Sequence, residues 1–211
     1  MKVAVFIDVQ NDFVHGGALP YAYPARDIVP DIIRFAESRR AAGYALYATA
    51  DTHKQTIYDG YDGASARKPV CGYLTTLEGQ KLPVSHCIEG TVGHKIVDGL
   101  VKDADRNVII PQGHIFDKPT FGSFGLADGI YADFHGGDRR ATYQGEPIEK
   151  IEICGFCTSI CVVSNALLLR ARFPDVPIEV MENLCGDVSR ESHEAALAVM
   201  RNCQIDIVPG R

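Results

Sequence analysis

The sequence predicts an α/β protein of three layers, in which helices cover both faces of a six-stranded, mostly parallel sheet. Short apolar runs alternate with stretches of helical periodicity, which is the pattern of parallel strands joined by crossover helices. Most of these runs lack a regular alternation of apolar and polar residues, as expected for strands that are covered on both faces. The length of 211 residues suits one domain with a sizeable core, so we predict a single domain over residues 1–211.

Six apolar runs are predicted to form the strands of this sheet. In chain order they are Val3–Ile7, Tyr44–Ala48, Val108–Ile110, Ile151–Ile153, Ile178–Met181 and Ile205–Val208. The amino-terminal segment Met1–Asp8, which contains the first run, is short and ends in an acidic residue, which indicates a strand and not a signal peptide.

Three helices are predicted around these strands. In the first, apolar residues recur at helical spacing over Val29–Ala36, with Pro30 in the first turn and Gly43 beyond the end. The second covers about Ser159–Ala171, and the third has its apolar face over Ala196–Cys203.

Composition and charge exclude several classes of partner. The formal net charge of −6, with no run rich in Lys or Arg, argues against nucleic-acid binding. No apolar stretch approaches the roughly 18 residues that span a bilayer, so no membrane partner is expected. The seven cysteines are odd in number and lie within apolar strands and helices. This pattern indicates reduced thiols and a cytoplasmic protein.

Reactive side chains follow four of the predicted strands. Asp8 ends the first, Asp51 and His53 follow the second, Lys118 follows the third and Cys161 follows the fourth. Because an open parallel sheet binds ligands beyond the carboxyl ends of its strands, we expect these side chains to meet at one edge.

Cys161 is predicted to be a nucleophile. It lies two or three residues into the second helix, where backbone N–H groups and the helix dipole favour a thiolate and can bind an oxyanion. The alternative is a buried core thiol, the usual environment of a free cysteine. A redox dithiol is a further alternative, because Cys154 and Cys157 have CxxC spacing. Against it, Cys154 lies within the strand pattern.

Asp8 and Lys118 are candidates for proton transfer and charge stabilisation. A carboxylate at the end of an apolar strand is partly desolvated, which raises its pKa and makes it a better proton acceptor. Lys118 beside the thiol and the acid would favour their ionised forms. The alternatives are an acid that caps the following turn and a solvated surface lysine.

Asp51 and His53 are candidate metal ligands, since positions i and i+2 share one face of an extended chain. His86 and Glu78 are candidates for the third and fourth ligands. Two imidazoles with carboxylates suit Zn²⁺, Fe²⁺ or Mn²⁺. Taken singly, His53 and His86 are better explained as hydrogen-bonded surface or packing residues, and only their joint placement with Asp51 favours a metal site. We interpret the remaining histidines as structural, namely His15, His94, His114, His135 and His193.

Five motifs together resemble the isochorismatase-like cysteine hydrolases, and within them the nicotinamidases. They are Asp8–Phe13, Asp51–His53, Leu82–Thr91, Lys118 with Phe124, and Gly155–Val162. The resemblance covers almost the whole chain and implies the Rossmann-like, isochorismatase-like hydrolase fold.

The resemblance implies a catalytic triad of Asp8, Lys118 and Cys161. Asp8 would take the thiol proton, Cys161 would attack an amide carbon, ammonia would leave, and water would hydrolyse the thioester. The N–H groups of Cys157 and Cys161 would form the oxyanion hole, with a cis peptide bond between Phe156 and Cys157.

The resemblance also implies substrate-binding and metal-binding residues. Phe13 would pack on the substrate ring, with Phe124 as a second substrate-binding residue. Asp51, His53 and His86 match a metal site that orients the ring, and Glu78 resembles the glutamate ligand of one nicotinamidase subgroup. Zn²⁺ is the expected ion, with Fe²⁺ and Mn²⁺ as alternatives. A homo-oligomer is also implied.

The segment Lys54–Gly93 departs from the regular alternation of strands and helices and is long for a loop. Its first part, Lys54–Tyr73, contains no histidine and resembles an insertion into the family pattern around the metal site.

The function predicted is hydrolysis of nicotinamide to nicotinate and ammonia, in pyridine nucleotide salvage. One alternative is the same chemistry on another small amide or carbamoyl compound. Others are a vinyl-ether hydrolase of the isochorismatase type, which needs no thiol, and a non-catalytic interaction protein.

Overall fold

The structure is a computed structural model that describes residues 1–56, 70–71, 81–82, 84–102, 107–136, 143 and 145–209. Its strands are β1 (Lys2–Ile7), β2 (Ala45–Asp51), β3 (Gln55–Thr56), β4 (Val70–Cys71), β5 (Ile115–Lys118), β6 (Lys150–Phe156), β7 (Ile178–Gly186) and β8 (Asp206–Val208). Its α-helices are α1 (Val29–Ala41), α2 (Asp98–Val101), α3 (Phe124–His135), α4 (Val163–Arg172) and α5 (Arg190–Asn202). A 3₁₀ turn (Gln112–His114) precedes β5, and a π-helical turn (Thr158–Val162) precedes α4.

Six strands of the described chain form one parallel sheet in the order β5-β2-β1-β6-β7-β8, while β3 and β4 pair separately. The helices cover opposite faces of the sheet. Phe6 packs against Phe35 of α1 and pairs in register with Ala48. Tyr47, which points to the other face, donates a hydrogen bond to Asp133 of α3. The predicted α/β class with three layers is therefore confirmed.

The third strand was predicted in the wrong place. The run Val108–Ile110 is not part of the sheet, and Val108 forms only an isolated bridge with Lys102. Pro111 lacks an N–H group and directs the chain into the 3₁₀ turn, and the strand begins after it at Ile115. Ile109 and Ile110 are still buried, so their apolar character serves the core and not the sheet.

The first and sixth predicted strands agree with β1 and β8, whereas β6 and β7 are both longer than expected. The second strand runs past Ala48 to Asp51, so that Asp51 is its last residue. Gly155 in β6 has a φ of +129°, and a Cβ there would lie 2.0 Å from the carbonyl oxygen of Ile7. Only glycine permits this approach of β1 and β6 beside the strand ends.

Two further expectations concern membrane-spanning helices and the segment 54–93. None of the helices in the described ranges is long and apolar enough to cross a membrane. Much of the segment 54–93, including Glu78, lies outside the described residues.

Candidate active site

Asp8 follows β1 directly and is fully buried. It has a φ of +49°, which turns its side chain out of the alternation of the strand. The Thr49 hydroxyl donates a hydrogen bond of 2.6 Å to Asp8 Oδ1, and the Asp8 N–H group in turn contacts Thr49 Oγ1 at 3.1 Å. The carboxylate is therefore held in one orientation at the edge of the sheet.

Lys118 ends β5 and places its ammonium group against Asp8. Its Nζ atom lies 2.7 Å from Asp8 Oδ2 and 3.6 Å from Asp51 Oδ1, and the side chain is only 1% exposed. Burial raises the pKa of Asp8, and the Lys118 ammonium opposes part of that rise. Burial alone would lower the pKa of Lys118, but Asp8, Cys161 and Asp51 together raise it. The lysine thus stays charged, and Asp8 is a stronger base than an exposed carboxylate.

Cys161 lies beside this pair. Lys118 Nζ is 3.5 Å from Cys161 Sγ, and Cys161 is 6% exposed. Burial, and then the negative charge of Asp8, raise the pKa of the Cys161 thiol well above its usual value, while Lys118 opposes the rise. Enclosure and the adjacent carboxylate therefore oppose the expected resting thiolate, which the first helical turn and the lysine favour. Attack would need a base, and Asp8 is adjacent.

Two buried polar side chains that the sequence did not single out fix the turn that carries Cys161. Asp187 follows β7 and accepts hydrogen bonds from the backbone N–H and the hydroxyl of Ser159, at 2.8 and 2.9 Å. Asn165 donates a 2.8 Å bond to the carbonyl oxygen of Cys161 and also binds the loop after Lys118. The bonds of Asp187 to Ser159 and of Asn165 to the loop after Lys118 join distant parts of the chain, so a pattern of neighbouring residues gives no signal for them.

The backbone before Cys161 has the expected special geometry. The peptide bond between Phe156 and Cys157 is cis, as the family resemblance implied. The first turn is π-helical, a feature that is frequent at functional sites, and α4 continues from Val163. The role of the Cys157 and Cys161 N–H groups as an oxyanion hole stays a prediction.

Asp51, His53 and His86 form a buried cluster next to Lys118. Their candidate ligand atoms all lie within 4.8 Å of one another. Asp51 Oδ2 is 2.9 Å from His53 Nε2 and 3.3 Å from His86 Nε2. The Nδ1 atom of His86 contacts the Val84 carbonyl oxygen at 2.8 Å, so Nδ1 carries the proton and Nε2 is directed into the cluster.

The chemistry of this cluster fits a divalent metal. Burial would raise the pKa of Asp51, but His53, His86 and Lys118 together hold it well below its usual value, so the carboxylate is ionised. Two imidazole nitrogens and one carboxylate are the donor set of many three-ligand sites that keep a position open. The predicted fourth ligand, Glu78, lies outside the described residues.

The two predicted substrate-binding aromatics differ in their surroundings. The Phe13 ring is buried and lies 5.4 Å from the His86 ring, so it borders the cluster. Phe124 begins α3 and is 75% exposed, and its contact with substrate stays a prediction. A cavity of about 460 Å³ opens beside the site, and His53, Lys118 and Glu89 are among its lining residues.

Comparison with known proteins assigns the family. The family model described as "Isochorismatase domain" matches residues 2–209, so the chain belongs to the isochorismatase family. It is 29% identical over 211 residues to a nicotinamidase of Schizosaccharomyces pombe, covering 97% of this chain and 91% of that protein. It is 30% identical over 201 residues to a probable inactive nicotinamidase of Arabidopsis thaliana, covering 93% and 86%. A pyrazinamidase of Pyrococcus horikoshii in complex with zinc shares the fold, with a TM-score of 0.65, 20% identity and 99% coverage of both chains.

Proposed function

We propose that the protein is a metal-containing cysteine amidohydrolase that converts nicotinamide and water to nicotinate and ammonia. The observation that carries the proposal is the contact of Lys118 with both Asp8, at 2.7 Å, and the Cys161 sulfur, at 3.5 Å, within a buried site. A thiol, a base and a cation in mutual contact are the requirements for nucleophilic attack on an amide. The similarity over nearly the whole chain to the nicotinamidase of S. pombe supports this substrate.

The reaction begins with transfer of the Cys161 thiol proton to Asp8. Sγ then forms a bond to the amide carbon, and the carbonyl oxygen becomes an oxyanion that the N–H groups of Cys157 and Cys161 stabilise. Asp8 returns the proton to the leaving nitrogen, the carbon–nitrogen bond breaks, and ammonia departs from a thioester. Asp8 next removes a proton from water, whose oxygen attacks the thioester, and the Cys161 sulfur leaves and is reprotonated as nicotinate forms.

Lys118 contributes charge without transferring a proton. Its ammonium group is buried against Asp8 and Cys161, so it stabilises each anion that appears as the proton moves between them. Its high pKa keeps it charged through this cycle.

Asp51, His53 and His86 would hold the metal, with Zn²⁺ as the expected ion and Fe²⁺ or Mn²⁺ as alternatives. A bound divalent ion supplies a coordination position for the ring nitrogen of the substrate and so orients the ring. Phe13 borders the same space through its contact with His86 and would pack against the ring.

The proposal is tested by ammonia release from nicotinamide, with and without a chelator, for the wild type and for Cys161→Ala. We expect the variant to lose about a thousandfold or more of kcat, since it lacks the nucleophile. Cys203→Ala is the matched control, because Cys203 lies at the end of α5 and keeps a free thiol outside the site. Metal-loaded wild type that is inert toward nicotinamide, or Cys161→Ala with retained activity, would refute the proposal.

A second candidate is the same chemistry on another small amide. The Arabidopsis relative at 30% identity is described as a probable inactive nicotinamidase, so similarity at this level does not guarantee activity toward nicotinamide, and other small amides are worth testing. A screen of ammonia release over nicotinamide, pyrazinamide and carbamoyl compounds separates the two candidates. A vinyl-ether hydrolase would keep its activity in Cys161→Ala.

We also place the reaction in the cytoplasm. The six cysteines whose side chains the structure describes all carry free thiols, which suits a reducing compartment. Assembly into a homo-oligomer stays a prediction, and sedimentation equilibrium would test it.

A further inference from the structure

Gln10 is a fully buried polar residue that the proposed reaction does not use. It lies two positions after the base Asp8, and its side-chain amide binds main-chain atoms of Asp51 and His94. Oε1 accepts a hydrogen bond of 2.7 Å from the N–H group of Asp51, and Nε2 donates one of 2.8 Å to the Asp51 carbonyl oxygen. Nε2 also donates to the carbonyl oxygen of His94 at 2.7 Å.

The position of Gln10 explains these bonds. The register of β1 with β2 ends at the pair Ile7 and Thr49, and Asp8 then adopts a left-handed conformation that takes the chain out of the strand. A carboxamide carries the same donor and acceptor as a peptide group. The Gln10 side chain therefore continues the hydrogen-bond ladder by pairing with Asp51, beyond the point where the β1 backbone can do so.

The segment Asp8–Phe13, which contains Gln10, also anchors the loop that carries His86. Asp12 Oδ2 accepts a hydrogen bond of 2.7 Å from the N–H group of Cys87, the residue after His86. The N–H group of His53 donates to the Cys87 carbonyl oxygen at 3.0 Å. The backbones at all three candidate metal ligands are thus tied, directly or through one bond, to the segment Asp8–Phe13.

We propose that Gln10 is a positioning residue for the metal centre. It fixes the main chain of Asp51 on both sides of the Cα atom, so that the carboxylate stays between the two imidazoles at 2.9 and 3.3 Å. One short segment then provides the base, through Asp8, and sets the geometry of the metal ligands, through Gln10 and Asp12. This inference rests on the proposed metal centre.

The test is the affinity of Gln10→Glu for Zn²⁺, measured by competition with a chromogenic chelator. Glutamate has nearly the same shape, but it has at most one proton to donate where the amide donates two. Loss of a residue that orients a metal ligand typically weakens metal binding about 10- to 100-fold, and we expect a loss in this range. The absorption spectrum of the Co²⁺-substituted protein should also change, because it reports the geometry of the ligands.

Asn165→Asp is the matched control. Asn165 is also a fully buried amide with three main-chain hydrogen bonds, but its partners belong to Ser123, Phe121 and Cys161. Both variants should lose stability to urea to a similar extent, and only Gln10→Glu should lose Zn²⁺ affinity. Equal Zn²⁺ affinity in Gln10→Glu and wild type, or an equal loss in both variants, would overturn the inference.

Asp12 provides a second route if Gln10→Glu does not fold. Asp12 is half-buried, and Asp12→Ala removes the acceptor for the Cys87 N–H group. We expect Asp12→Ala to weaken Zn²⁺ binding. Asp12→Asn keeps one acceptor oxygen and should therefore retain part of the wild-type Zn²⁺ affinity. Unchanged affinity in Asp12→Ala would overturn the inference. Wild-type protein that binds no Zn²⁺ would reject the metal centre itself, whereas tight wild-type binding with unaffected variants rejects only the role of this segment.

Discussion

Replacing Lys118 with methionine should destabilise the metal-free protein strongly, and more so at high pH. Methionine is similar in length but removes the ammonium group that lies 2.7 Å from Asp8 and 3.6 Å from Asp51. Removal of one partner from a buried ion pair costs about 3–5 kcal/mol, because a charge is left buried without compensation. We expect a loss of this size in the free energy of unfolding at about pH 8.

The pH dependence follows from the pKa of Asp8. Burial already raises it, and without the lysine it rises further above the value in the unfolded chain. A carboxyl group with a raised pKa in the folded state binds its proton more tightly when folded, so it stabilises the protein at low pH. That stabilisation is lost as the pH rises through the folded pKa, by at most about 1.4 kcal/mol per pH unit for one proton. Lys118→Met should therefore be closer to the wild type at about pH 5 than at about pH 8.

Urea denaturation in the presence of a chelator measures both quantities. Lys150→Met is the matched control, since Lys150 also contacts two carboxylates, Glu152 at 2.7 Å and Glu179 at 2.9 Å. Lys150 is a quarter exposed, however, so water screens its pairs, and we expect a loss of about 1 kcal/mol or less. A loss under about 1 kcal/mol in Lys118→Met, or a loss that is the same at both pH values, would refute the reasoning.

Three further predictions concern neighbouring groups. Thr49→Val removes the 2.6 Å hydrogen bond to Asp8, a bond to a charged group worth about 1.5–3 kcal/mol. Because this bond stabilises the carboxylate, its loss should raise the pKa of Asp8 and move the acid limb of kcat/KM against pH to higher pH. An unmoved limb would contradict the role of Asp8 as base. The rate of Cys161 alkylation by iodoacetamide should increase about tenfold per pH unit and still be increasing at about pH 9, because burial raises the pKa of the thiol. A rate that reaches a plateau near neutral pH would show a resting thiolate. Gly155→Ala should lower the free energy of unfolding by about 3 kcal/mol or more, because the new Cβ would lie 2.0 Å from the Ile7 carbonyl oxygen. A variant that is as stable in urea as the wild type would disprove that contact.

The sequence was informative about which residues meet at the edge of the sheet. Parallel strands place their carboxyl ends together, so Asp8, Asp51, Lys118 and Cys161 could be assigned to one edge from their positions after apolar runs. This held for Lys118 although its strand was misplaced, because Ile115 and the residues after it supply the strand that Val108–Ile110 does not.

The ionisation of the site and its supporting hydrogen bonds could not be read from the sequence. Whether Cys161 is a thiol or a thiolate depends on how completely it is enclosed, and a helix start alone suggests only the stabilising part. The contacts of Thr49 with Asp8 and of Gln10 with Asp51 join residues 41 positions apart. A single sequence contains no signal for such pairs until the register of β1 and β2 is known.

The π-helical turn at Thr158–Val162 makes the site sensitive to chain length. Each residue of an α-helix advances the rotational phase by about 100°, and a π-helical turn contains one residue more than an α-helical turn. If β6 and this turn kept their backbone path, deleting one residue between Cys157 and Cys161 would move Cys161 back by one position in the turn. The sulfur would then point about a quarter of a revolution away from Lys118, although every residue type of the triad would still be present.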